Sequence, residues 1–165
     1  MSVISPSTPS GHSIFCDDVR NEANGKQILI GVYNADMLVD SFPILLPNFS
    51  IVIRYQERKN ESDLPVKFVV TVPNPHDEKI FEVDVPREAF VHPDPPSWDV
   101  EEQPLITLNL NPSFAGFMLL HTGRIKVRAY RGDDEIRLGT LRVRLRSEWE
   151  EEQRKFADAM KEAAN

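Results

Sequence analysis

Apolar and polar residues alternate along most of this chain, in short runs broken by proline, glycine and clustered acids, and a period of two marks strands with one buried face. Residues 79–85 show it plainly, with Phe81, Val83 and Val85 on one side and Glu82 and Asp84 on the other. The same reading predicts strands at 12–17, 28–33, 50–56, 66–72, 105–110, 124–131 and 135–146. Asn24-Gly25 is a two-residue turn signal, so 12–34 reads as a β-hairpin; residues 73–78 close a second hairpin and Gly132-Asp133 a third. Prolines mark 42–47 as an extended crossing segment, and the charged stretch 57–63 reads as a solvated loop. Residues 87–103, with Pro93, Pro95 and Pro96 and several acids around Trp98, read as a long loop, and 112–120 as a compact apolar crossover. About eight strands at this spacing predict an all-β fold: an antiparallel β-sandwich, immunoglobulin-like or C2-like.

The last two strands carry an unusual surface. Arg124, Lys126 and Arg128 alternate with Ile125, Val127 and Ala129, and on the return Arg142, Arg144 and Arg146 alternate with Leu141, Val143 and Leu145. The inward set shifts from Ile136 and Leu138 to Leu141 and Val143 across Gly139, the phase change of a β-bulge. A register pairing 129 with 136, 127 with 138 and 125 with 141 sets Arg128 against Arg137 and Arg124 against Arg142. Like charges across a ladder cost up to about 1 kcal/mol per pair, so a compensating charge is expected. The acids at the start of the next element, Glu148, Glu150, Glu151 and Glu152, are the nearest source; an anionic partner is the other.

From Ser147 the period changes to that of a helix. Ser147 and Glu150 form a capping-box pattern, and Trp149, Phe156, Met160 and Ala163 fall seven, four and three apart, on one stripe. The expected fate of that stripe is docking on the sandwich, with self-association or partner recognition as the alternative. The chain then divides into a flexible Ser/Pro-rich leader at 1–11, a sandwich domain at 12–146 and a C-terminal amphipathic helix at 147–165.

Composition narrows the setting. A charged fraction of 27% and an apolar fraction of 41% are those of a folded domain. Cys16 is the only cysteine, which excludes an internal disulfide and a cysteine-based zinc site and fits a reducing compartment, so a cytoplasmic location without membrane association is expected. A net charge of −7 argues against wholesale nucleic-acid binding.

The stretch Phe15-Cys-Asp-Asp-Val-Arg-Asn-Glu-Ala-Asn-Gly-Lys-Gln-Ile-Leu-Ile-Gly-Val-Tyr33 resembles the opening of an uncharacterised family of small bacterial and phage-borne proteins, in which Cys-Asp-Asp-x-Arg-x-Glu leads through Gly-Lys into Ile-Gly-Val-Tyr. The resemblance covers about a tenth of the chain. It implies a bacterial or phage origin and no catalytic residues.

Candidate chemistry is sparse. Asp17, Asp18 and Glu22, and separately Asp133, Asp134 and Glu135, could gather a divalent cation if loops converged on it, but acids at turns are expected for local hydrogen bonding. His12, His76, His92 and His121 show no metal-ligand spacing, and Cys16 reads as a buried small hydrophobe whose thiol the adjacent Asp17 disfavours as a nucleophile. No phosphate loop, dinucleotide fingerprint or nucleophile elbow appears. The expectation is therefore a non-catalytic interaction or structural module that needs no cofactor or metal. Its contact surface would be Arg124, Lys126, Arg128, Arg137, Arg142, Arg144 and Arg146, the loop around Trp98, or Trp149, Phe156 and Met160 of the helix. A protein partner or self-association through that helix ranks ahead of nucleic acid. The alternative function is a cation-dependent ligand-binding or catalytic protein using the acidic loop ends.

Overall fold

The computed structural model describes residues 9–58, 63–90 and 105–163. It is an all-β molecule of two packed sheets and a small hairpin, ending in one helix. The first sheet is built on β5 (Ile44–Arg58), flanked on one side by β1 (Ser10–Cys16) and on the other by β8 (Leu105–Leu110) and β9 (Ser113–Leu119) in succession, all antiparallel to it. The second sheet runs β4-β11-β10-β6-β7, with β4 at Asp36–Val39, β6 at Val66–Val72, β7 at Glu78–Val85, β10 at Gly123–Arg131 and β11 at Asp134–Leu145. The remaining strands, β2 (Asp18–Asn21) and β3 (Gln27–Ile30), pair with each other about Gly25, whose φ of 78° is open to glycine at no steric cost.

Alternation delivers the core. Phe49, Ile51, Ile53 and Tyr55 of β5 meet Phe68 and Val70 of β6, Ile125 and Val127 of β10 and Leu141 and Val143 of β11, all fully buried in one cluster. The sheets approach closely where β1 passes β11, and two glycines make that possible. A Cβ on Gly11 would overlap the carbonyl oxygen of Arg54 and the side chain of Leu138, and one on Gly139 would press on Ser13. A helix, α1 (Arg146–Ala163), follows β11 without an intervening loop, beginning one residue before the expected Ser147.

Several elements differ from the pattern read along the chain. The segment 42–47 is no separate crossing: β5 runs straight through Pro47, because β9 lies beside it with Leu46 paired to Phe117 and Asn48 to Ala115. Both strands change phase there, and Gly116, with φ of 63°, stands opposite the proline. The stretch 112–120, read as a crossover, is thus mostly strand β9. Residues 12–34 form no single hairpin, since β1 pairs with β5 and touches the end of the β2–β3 hairpin through one bridge, Phe15 with Tyr33. Short β4 went unread because four residues are too few to show a period, and its pairing with β11 is parallel where an all-antiparallel arrangement was expected. Strand β1 begins at Ser10, within the stretch assigned to the leader, and residues 1–8 lie outside the described residues.

Candidate functional site

The basic hairpin forms with nearly the predicted register. Ala129 pairs with Ile136, Arg128 with Arg137, Ile125 with Leu141 and Arg124 with Arg142. Val127 pairs with Gly139 rather than with Leu138, so Leu138 is the extra residue of the bulge and drives its side chain into the core. Arg128 binds back over this irregularity, donating from one guanidinium nitrogen to the carbonyls of Val127 at 2.9 Å and Gly139 at 3.2 Å.

The compensating charge arrives mainly from a direction the sequence did not reveal. Arg142 lies 2.7 Å from Asp36, and Arg146 lies 2.9 Å from Asp40, both acids brought alongside by β4. Lys126 meets Asp77 at 2.7 Å, while Glu135 sits 3.4 Å from both Arg128 and Arg137. Of the acids of α1, Glu152 reaches the surface, 2.6 Å from Arg144. This contact holds the Glu152 carboxyl below its ordinary range and the Arg144 guanidinium above its own. Among the described residues, Arg124 is the one member of the seven with no carboxylate within 4 Å. The surface is therefore a basic centre in which six of the seven charges already stand beside a carboxylate. Such exposed pairs contribute little stability individually, but they cancel the field an anion would feel.

The stripe of α1 does not dock. No residue of the helix is buried; Phe156 is 65% exposed and Met160 58%, and Trp149, at the strand–helix junction, is half-buried. The helix makes few contacts with β11 and β4 and leaves its apolar stripe uncovered, so the predicted burial on the sandwich does not occur. The reason is geometric: with no loop between Leu145 and Arg146, the helix cannot turn back across the sheet it leaves.

A buried polar cluster escaped the sequence reading. Glu57, placed by pattern in a solvated loop, is the last inward residue of β5 and has no exposed surface. Its carboxylate accepts hydrogen bonds from the Tyr55 hydroxyl at 2.7 Å, from Arg87 and from Arg131 at 3.3 Å. Arg87 also lies over the Phe90 ring, 5.0 Å from its centroid. Continuing the odd-numbered inward series Ile53, Tyr55 by one step would have found Glu57; its charge hid it.

The other candidate groups are occupied locally. Asp17 accepts a 2.5 Å hydrogen bond from the Tyr33 hydroxyl, and burial, followed by that bond, pushes the phenol well above its ordinary range. Asp18 pairs with Arg20. Cys16 is fully buried beside the Ser50 carbonyl, and burial, then Asp17 and Asp18, raise its thiol. Among the described residues no group of three or more His, Cys, Asp or Glu side chains could share a metal ion. No described helix is long and apolar enough to cross a membrane. Trp98 and His92 lie outside the described residues.

Comparison with known proteins gives a family and little else. The model of DUF6941, a family of unknown function, matches residues 12–144, from within β1 nearly to the end of β11. No curated protein and no solved structure matches the chain.

Proposed function

The chain belongs to that family of unknown function, and from this premise we propose that it is a non-catalytic interaction module, bacterial or phage-borne and cytoplasmic, whose sandwich presents α1 as its contact element. The carrying observation is the uncovered stripe of the helix, with Phe156 and Met160 in solvent. Full burial of a large apolar side chain is worth about 1.5–3 kcal/mol, and covering these two, 65% and 58% exposed, against another helix face would recover the larger part of it. The matched charges of the basic hairpin support the helix over an anion-binding role for that surface. A non-catalytic reading is supported by the groups chemistry would use: the Cys16 thiol is buried and raised, and the Glu57 carboxylate is committed to Tyr55, Arg87 and Arg131. A sequence with one cysteine, and so no internal disulfide, fits a reducing compartment.

Self-association is the form of contact that needs no other component. In sedimentation equilibrium the full chain is expected above monomer mass, and a Phe156→Glu, Met160→Glu variant at monomer mass. Equal masses for the two proteins at high concentration would remove self-association as the helix's role.

A further inference from the structure

The outer face of the first sheet carries a second surface, unrelated to the helix. Register places six polar side chains there in two rows across three strands. Ser10, Gln56 and Thr107 form one row, and His12, Arg54 and Asn109 the next. The Gln56 amide donates to the Ser10 hydroxyl at 3.1 Å, fixing one corner. The β2–β3 hairpin bounds the face beyond the second row, with Gly25 and Gln27 reaching the same space. Two adjoining hollows of about 380 Å³ each result, and Arg54 and Thr107 line both.

Arg54 is the anomaly. The chain carries 26 acids against 19 bases, and its other described strand arginines mostly stand beside a carboxylate. Among the described residues no carboxylate lies within 4 Å of Arg54, and the lining of both hollows contains no acid. Apart from two glycines and the buried Tyr55, the other described residues that line them carry neutral hydrogen-bonding side chains or are His12. A guanidinium presents five N–H donors in a planar fork suited to carboxylate and phosphate oxygens, and here it is flanked by Gln56 and Asn109 amides that donate and accept. Among the described residues the lining offers no exposed aromatic ring, since Tyr55 is fully buried. The ligand this arrangement suits therefore has hydrogen-bonding groups beside its charge rather than an apolar body.

We propose that the row His12–Arg54–Asn109, with Ser10, Gln56 and Thr107, is a binding site for a small oxyanion, carboxylate or phosphate, carried on a hydroxylated body. It stands independently of the helix reading, because no residue of α1 lines it. Arg54 takes the anion, and the side-chain amides and Thr107 take the hydroxyls.

Titration of the full-length protein with inorganic phosphate, glucuronate and glucose 6-phosphate, followed by the backbone amide and Arg54 guanidinium signals in NMR, tests it. The expected result is a saturable shift confined to β1, β5 and β8 around residues 12, 54, 107 and 109. Glucuronate saturating below inorganic phosphate identifies a sugar carboxylate, and glucose 6-phosphate a sugar phosphate. An Arg54→Gln variant is expected to weaken binding roughly tenfold or more. Arg124→Gln, which removes a cation of the opposite sheet that likewise has no carboxylate within 4 Å, should leave it unchanged. Shifts that fail to saturate, or that appear equally around Arg124, would reduce the site to unspecific charge and overturn the proposal.

Discussion

Glu57 shows how one residue can decide the end of a sandwich. A carboxylate with no exposed surface persists because two guanidinium groups and a phenol satisfy it, and those partners come from β5, the turn after β7 and the end of β10. The interaction ties both sheets together at one end of the sandwich. A buried ion pair is a poor source of net stability against an apolar alternative, but removing the carboxylate takes a shared acceptor from both guanidinium groups and the phenol. Arg87 and Arg131 retain 20% and 10% of their side-chain exposure, so water relieves part of the loss. Glu57→Ala is therefore expected to cost about 3 kcal/mol, at the low end for a broken buried pair, read as a shift of the urea midpoint. A loss below about 1 kcal/mol would mean that the arginines are satisfied without the Glu57 carboxylate. The residue was open to discovery from the chain, because it continues an inward series; treating charge as synonymous with solvent concealed it.

At the scale of elements, patterns with a local cause were readable and those imposed by a distant neighbour were not. The basic hairpin announces itself because its turn, its alternation and its phase change all lie within residues 123–145, and even its arginine-to-arginine pairs follow from the register. The rows on the opposite sheet face were invisible for the converse reason. His12, Arg54 and Asn109 are far apart in the chain and become neighbours through β1–β5 and β5–β8 pairing alone. The same holds for β4, which supplies Asp36 and Asp40 to arginines 106 residues away. Pro47 misled in a different way: a proline ends a strand only if its missing N–H would be needed, and opposite Gly116 it is not. The helix was legible as a helix, since its period is internal, but its direction depends on the junction with β11. Because none of its residues is buried, and beyond Arg146 the pair of Glu152 with Arg144 is its one ion pair to the sheets among the described residues, truncation after Arg146 should alter sandwich stability by less than about 1 kcal/mol. Chemical denaturation of the two lengths under conditions where both are monomeric measures this; a loss of several kcal/mol would restore the docking arrangement.

The whole molecule closes through pairings of very different reach. Strands β10 and β11 meet across a tight turn, whereas β4 reaches β11 only after about a hundred residues are drawn in. By loop-closure entropy the second contact costs roughly 3 kcal/mol more than the first before any burial rewards it. An ordering follows: the β10–β11 hairpin and its β6 neighbour can form early, and β4 adds to a surface already built. Met37 and Leu141 are both buried in the same core cluster, so truncating either removes comparable packing, yet they belong to opposite ends of this sequence of events. Leu141→Ala should slow refolding, while Met37→Ala should leave refolding nearly unchanged and speed unfolding, with the wild type itself refolding in milliseconds to seconds as non-local β topologies do. Stopped-flow refolding and unfolding of the two variants separates the cases. If Met37→Ala slows folding as much as Leu141→Ala does, the parallel pair is part of the nucleus, and the long closure is made first.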